Sequence, residues 1–196
     1  MTPELRFHLR ATAVCYALFL LGTGIGWTLI RTDTLSAEME DPSLYTQNAR
    51  QVLSAPSWDN FTAILSNNIL SLLAMLAGAV TIGLLPLFQT LHIGITIGIE
   101  MATKLKWGVS SNFYLAALLP HALPELLAFA LVGSISIRAL VNFVRYLRGG
   151  SLLDQEEIRA IVIIALCSVV ILVGSAGVEA WITPAMAVPL LPPTPS

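Results

Sequence analysis

Charged residues are scarce in this chain. Only 11% of its 196 residues are Asp, Glu, Lys or Arg, whereas soluble domains carry about 25%. The formal net charge at pH 7 is −2, so the sequence lacks the concentrated positive charge of a nucleic-acid-binding surface. Its two cysteines, Cys15 and Cys167, lie inside apolar stretches. This placement excludes a framework of exposed disulfides and predicts two buried thiols.

Long apolar stretches dominate the sequence. Hydrophobic residues make up 56% of the chain, and five stretches come close to the roughly 20 residues with which a helix crosses a bilayer core. We therefore predict an all-α, polytopic transmembrane helical bundle that forms one membrane domain over residues 1–196. The predicted spans are residues 11–30, 63–84, 88–103, 120–140 and 160–182. The first is expected to be a retained helix rather than a cleaved signal peptide.

The segments between the spans have distinct characters. Residues 31–62 are polar and are predicted to form an extracytoplasmic loop, and residues 183–196 form a proline-rich tail. Residues 107–119 are predicted to be either an interfacial helix or one arm of a re-entrant hairpin before the fourth span. Pro120 then fits the first turn of that span, where its missing N–H costs no hydrogen bond.

Basic residues near the ends of the spans predict the orientation. Cytoplasmic loops carry an excess of Lys and Arg, so we predict a cytoplasmic N-terminus in a multi-pass protein of the cell (plasma or inner) membrane. That orientation places six basic residues inside, namely Arg6, Arg10, Arg138, Arg145, Arg148 and Arg159. It places four outside, namely Arg31, Arg50, Lys104 and Lys106. The segment 144–159 is predicted to be a solvated cytoplasmic turn.

Polar residues recur near the outer ends of four predicted spans. They are Asn67, Asn68, Glu100, His121, Glu125 and Glu179. A lone carboxylate at the centre of a membrane helix costs about 2.5–3.5 kcal/mol and less near its ends, so we predict that these six side chains form one buried polar cluster. Of the other histidines, His92 is predicted to be packed and hydrogen-bonded inside the third span. His8 is predicted to be solvated near the cytoplasmic surface.

Three interpretations of the cluster remain open from the sequence. It could be a hydrogen-bond network that fixes the helices in register, without a cofactor. It could be a metal site with His121, Glu125 and Glu179 as ligands, because His121 and Glu125 are one helical turn apart. It could also be a path for protons or a solute. The zinc-protease pattern H-E-x-x-H is absent from the cluster, and the network is the favoured interpretation.

Small residues predict where helices approach closely. Ala74 and Gly78 are one turn apart in the second span, and Gly94 and Gly98 form a G-x-x-x-G pattern in the third. Such pairs let two helix backbones come together. We expect these faces to pack within the bundle or against another copy of the chain.

Several motifs together resemble one family. The stretch "PHALPELLAFALVGS" is similar to the P-H-G-x-x-E-L signature of the stage II sporulation protein M family, and "VEAWITP" to its closing E-A-x-I-T-P segment. The stretch "FTAILSNNILSLLAMLAGAVTIG" resembles the family's asparagine-containing apolar helix, and "GITIG" the glycine-spaced helix that follows. Ala122 stands where the family usually has glycine, and Ile93 where asparagine often precedes the first glycine of the third helix.

The resemblance implies a five-helix integral membrane protein in which His121, Glu125 and Glu179 match motif positions. The family's namesake in endospore formers looks like a scaffold that localises peptidoglycan-degrading partners, and many relatives occur in organisms that do not sporulate. We therefore predict a non-enzymatic scaffold or assembly subunit. Its expected partners are the lipid bilayer and either further copies of itself or other membrane proteins, without nucleic acid. The alternatives are a metal-dependent intramembrane hydrolase and a permease subunit or proton-coupled transporter.

Overall fold

Helices account for the regular structure of the chain. The computed structural model describes residues 3–32, 50, 57–78 and 83–191, and within these ranges there is no strand. The long helices are α1 (Pro3–Arg31), α2 (Trp58–Ala77), α3 (Leu84–Lys106), α4 (Ser111–Leu147) and α5 (Gln155–Gly177). A π-helical turn (Val178–Ile182), α6 (Thr183–Ala187) and a 3-10 turn (Val188–Leu190) prolong α5.

Five helices are long and apolar enough to cross a membrane, the fifth running from Gln155 to Leu190 through the π turn. The predicted all-α class with five spans is therefore confirmed. The polar segment 31–62 falls largely outside the described residues. Its last part belongs to α2, whose first turn is capped by the Ser57 hydroxyl, which accepts a hydrogen bond from the Asn60 backbone N–H at 3.1 Å.

Two boundaries differ from the prediction. Residues 111–119 form neither an interfacial helix nor a re-entrant arm, because α4 runs without interruption through Pro120 and Pro124. Membrane helices tolerate internal prolines where neighbouring helices supply polar contacts to the local backbone. Here the Ser175 hydroxyl of α5 donates a hydrogen bond to the His121 carbonyl oxygen at 2.8 Å. The predicted tail is helical as far as Leu190, and residues 192–196 lie outside the described part.

The long helix α4 is the centre of the bundle. It packs against α1, α2, α3, α5 and α6. Half of its most apolar stretch is buried, against 17–22% in the other four spans. The apolar core lies where α2, α4 and α5 meet, and its buried members are Leu72, Met75, Ala128, Val132 and Leu172. The faces of α1, α2, α3 and α5 that do not pack against other helices are directed outward.

Helices α1 and α3 make the closest contact in the fold. A Cβ atom added at Gly22, Gly26, Gly94 or Gly98 would overlap a backbone oxygen of the facing helix. These glycines therefore allow the two backbones to touch. The close approach expected of Gly94 and Gly98 is thus made inside the chain. A Cβ atom added at Gly24, by contrast, would meet nothing within 4 Å.

The packing face expected from Ala74 and Gly78 does not form within the chain. Ala74 is exposed, and only Gly78 is buried, against the ring of Pro86. The reason is that Met75 faces the core, so the adjacent Ala74 is turned outward. Cys167 also differs from the prediction, since it is exposed while Cys15 is buried. In a membrane bundle the outward face is apolar too, so an apolar run does not imply burial.

The two ends of the bundle differ in composition. All four tryptophans lie at one end, the tryptophan end: Trp27 near the end of α1, Trp58 at the start of α2, Trp107 at the cap of α3 and Trp181 in the π turn. The rings of Trp58 and Trp181 are in contact, with centroids 4.9 Å apart. The opposite end, the arginine end, carries Arg6, Arg145, Arg148 and Arg159. Tryptophan belts and arginine-rich ends are typical of membrane boundaries.

Candidate functional site

The polar cluster at the tryptophan end joins α2 to α4. Asn68 is buried on α2, and its side-chain amide donates a hydrogen bond to Oε1 of Glu125 on α4. Glu125 is largely screened from solvent by the surrounding helices. A carboxylate in this position needs a donor, because an unpaired buried charge is costly. The Asn68 amide supplies it, and α2 and α4 are thereby held in one relative register.

His121 connects α4 to the last span. Its Nδ1 lies 3.3 Å from Oγ1 of Thr183, and its Nε2 lies 4.0 Å from Oε2 of Glu179. Its backbone carbonyl accepts the hydrogen bond from Ser175. One residue of α4 therefore contacts α5, the π turn and α6. The imidazole lies between a hydroxyl and a carboxylate, each on a different turn of the neighbouring helix.

The π turn shapes the part of the cluster that is open to the surroundings. Single π turns inside α-helices are rare and occur frequently at functional sites. Here the turn covers Val178–Ile182 and contains Glu179, whose side chain is 33% exposed. Ring contacts of Trp181 with Trp58 and Phe61 hold the same turn against the start of α2. Glu179 is thus more open to other molecules than His121, whose side chain is 12% exposed.

Four of the six side chains expected in the cluster meet there, namely Asn68, His121, Glu125 and Glu179. Asn67 and Glu100 do not, and both are exposed. Successive residues of a helix point about 100° apart, so Asn67 is turned away when Asn68 faces α4. Glu100 lies two residues beyond Gly98, on the side of α3 that faces away from α1.

Ser175 and Thr183 belong to the cluster although the sequence interpretation omitted them. Both are buried, and each contacts His121. Their spacing carried a signal, because Ser175, Glu179 and Thr183 follow one another at four-residue intervals. On a helix that interval places side chains on one face.

The cluster contains few groups that could share a metal ion. Among the described residues, no group of three or more His, Cys, Asp or Glu side chains is close enough to hold one. Glu125 is directed to Asn68, while His121 and Glu179 approach each other only to 4.0 Å. The hydrogen bonds and contacts of the cluster connect α2, α4 and the end of the last span.

A second polar site, at the arginine end, adds to the prediction of a solvated turn over 144–159, in which residues 146–156 are indeed exposed. Glu157 is only 1% exposed, and its carboxylate accepts hydrogen bonds from Arg138 Nε at 3.0 Å and from Arg145 at 2.8 Å. Glu157 and Asp154 also form a capping box at the start of α5. Arg138 in turn contacts Glu4 at 2.6 Å. The D-x-x-E spacing was the sequence signal for this arrangement.

The remaining two histidines also differ from the prediction. His8 is buried rather than solvated, with Nδ1 2.8 Å from the Ser134 hydroxyl of α4. The reason is that α1 begins at Pro3, so its first turns pack against α4 instead of leaving the bundle. His92 is exposed on α3 rather than packed inside.

Comparison with known proteins identifies relatives for most of the chain. The family model described as Stage II sporulation protein M matches residues 15–184, a range that includes every member of the cluster. An uncharacterized protein of Methanocaldococcus jannaschii is 28% identical over 134 residues, which cover 67% of this chain and 75% of that protein. No solved structure matches the chain.

Proposed function

Because the chain belongs to the stage II sporulation protein M family, we propose that it is a non-enzymatic scaffold that positions partner proteins at the cell membrane. In this proposal the arginine end and the N-terminus face the cytoplasm, and the tryptophan end faces outward. The distribution of basic residues supports this orientation. The outward-directed faces of α1, α2, α3 and α5 would be available to partners or to further copies of the chain.

The observation that carries the proposal is that the side chains of the polar cluster bond to one another across helices. The Glu125 carboxylate is bonded to Asn68, and His121 contacts Thr183 and Glu179 on the last span. These are contacts between helices of the same chain, so they fix the shape of the bundle. A fixed shape presents constant outer faces, which is what a scaffold requires, because a rigid surface pays less ordering entropy on binding.

The test is native mass spectrometry of the protein gently extracted from the membranes of its own host. We expect co-isolated membrane-protein subunits that are lost from Asn68→Leu and retained in the neighbouring Asn67→Leu, since only Asn68 joins α2 to Glu125. A lone monomer from wild-type membranes would contradict the scaffold. One metal ion per chain, lost in His121→Ala, would instead support the hydrolase alternative.

A second candidate function is proton-coupled transport, favoured by the position of Glu179. Its carboxylate is partly exposed, lies in a π turn and is 4.0 Å from the His121 ring. Carboxylates and histidines in series are typical of proton paths in membranes. Purified protein in liposomes should then conduct protons, with loss in Glu179→Gln and none in the peripheral control Glu100→Gln. Liposomes with no flux above the lipid background would remove this candidate.

A further inference from the structure

Helix α3 has a row of polar residues on its outward face. His92, Thr96 and Glu100 follow one another at four-residue intervals, and all three are exposed. The glycines of the same helix, Gly94 and Gly98, face α1, so the polar row points away from the bundle. Towards the arginine end the same face continues with exposed Leu85 and Phe88.

The depth of this row makes it unfavourable against lipid. Counting from Lys104 near the end of α3, Glu100 lies about 6 Å inward and His92 about 18 Å inward, at 1.5 Å per residue. His92 therefore lies near the middle of a hydrocarbon core of about 30 Å. Ionisable residues inside membranes almost always face protein or water. A partner that covers the row would remove this cost.

The side chains of the row have free hydrogen-bonding capacity. Within the described part of the chain, the His92 ring and the Glu100 carboxylate make no hydrogen bond or ion pair with another residue. Thr96 donates its hydroxyl proton to the His92 carbonyl oxygen at 3.1 Å, so its oxygen remains an acceptor. The row thus presents two acceptors, the Glu100 carboxylate and the Thr96 hydroxyl oxygen, and the His92 imidazole, which can both donate and accept.

We propose that this face of α3, the His92–Thr96–Glu100 row with Leu85 and Phe88, docks one membrane-spanning helix of another protein. The complementary helix carries a basic residue level with Glu100 and a hydrogen-bonding side chain level with His92. Its other half is apolar, to match Leu85 and Phe88. This inference rests on the proposed scaffold function and names the surface through which it acts.

Charge complementarity favours another protein over a second copy. In a two-fold dimer within a membrane the axis runs along the membrane normal, so each residue of the row would face itself. Glu100 would then oppose Glu100, and like charges at short range repel. At the tryptophan end, where Glu100 lies, Arg31 and Lys104 of this chain are placed over the rings of Trp27 and Trp107. The occupant must therefore supply its own basic residue.

Site-specific photocrosslinking of the full chain in its host membranes tests the proposal. Benzoylphenylalanine replaces Phe88, which is 67% exposed and lies beside the polar row without belonging to it. The matched control carries the same group at Val170 on α5, which is 70% exposed. We expect an adduct from position 88 and not from position 170. The crosslinked peptide, sequenced by mass spectrometry, should be an apolar span of the partner. It should carry Arg or Lys in the part that lies level with the tryptophan end of this chain.

Substitutions in the row then test its chemistry. Combining His92→Leu with Glu100→Leu should lower the adduct yield at least about tenfold, the equivalent of one charge-assisted contact. Glu100→Lys should lower it as well, because it places two basic residues together. The control Asn67→Leu removes an exposed polar group from α2 and should leave the yield unchanged. None of these changes touches the glycine contact or the core.

Each other outcome overturns the inference in a distinct way. An adduct between two copies of this chain would show self-association on this face. A peptide without a basic or donor residue, or a yield unaffected by the double substitution, would show that the polar row is not recognised. A complex in native mass spectrometry that crosslinks only from position 170 would overturn the α3 face while leaving the scaffold function standing. A monomer with no adduct from either position would overturn both.

Discussion

Gly26→Ala in α1 is expected to destabilise the bundle, whereas Gly24→Ala, two residues earlier on the same helix, is not. A Cβ atom at position 26 would overlap the carbonyl oxygen of Ile95 and lie 2.9 Å from the backbone nitrogen of Ile99. Both obstacles are backbone atoms, so no change of rotamer can relieve the overlap. Helices α1 and α3 would have to move apart and lose the contact between them.

The magnitude follows from two opposing terms. Overfilling a well-packed contact costs about 1–3 kcal/mol, while replacing a helical glycine by alanine gains about 0.5–1 kcal/mol. Gly24→Ala should show only the gain, because a Cβ atom there meets nothing within 4 Å. The difference in unfolding free energy between the two variants therefore isolates the cost of the overlap, at about 1–3 kcal/mol.

The assay is unfolding of the purified protein in mild detergent by titration with dodecyl sulfate. Loss of far-ultraviolet circular dichroism reports the helices, and fluorescence of the tryptophans reports the packing at their end of the bundle. Gly98→Ala, on the other side of the contact, should behave like Gly26→Ala. Equal stabilities for Gly24→Ala and Gly26→Ala would show that α1 and α3 do not pack through these glycines.

Three further substitutions test the polar contacts, each measured by the same unfolding titration. Glu157→Ala leaves the Arg138 guanidinium, which is 12% exposed, with Glu4 as its one acidic partner among the described residues. This should lower the unfolding free energy by about 3 kcal/mol. An unchanged stability would mean that the buried ion cluster does not form. Asn68→Leu removes the donor to Glu125 and should cost about 1–3 kcal/mol, against less than about 0.5 kcal/mol for Asn67→Leu. Ser134→Ala breaks the contact with His8 and should lower the unfolding free energy by about 1 kcal/mol. An unchanged stability would indicate that His8 is solvated instead of bonded to Ser134.

The number and type of the membrane-spanning elements could be predicted from local properties of the chain. A stretch of about 20 apolar residues crosses a bilayer wherever it occurs, so the five spans and the all-α class followed from hydropathy. The positions of His121, Glu125 and Glu179 near the outer ends of their spans indicated one shared layer, and His121 contacts both the π turn and α6. Helix ends were less predictable, as the unbroken α4 shows.

Which face of each helix turns inward was decided only by tertiary packing. In water the inner face is apolar and the outer face polar, so periodicity distinguishes them. In a bilayer both faces are apolar, and that signal is largely lost. Asn68 is therefore buried while the adjacent Asn67 is exposed, and Gly26 packs on α3 while Gly24 does not. His8 and His92 exchanged the surroundings expected for them because small residues and paired polar groups, rather than hydrophobicity, select the contacts between membrane helices.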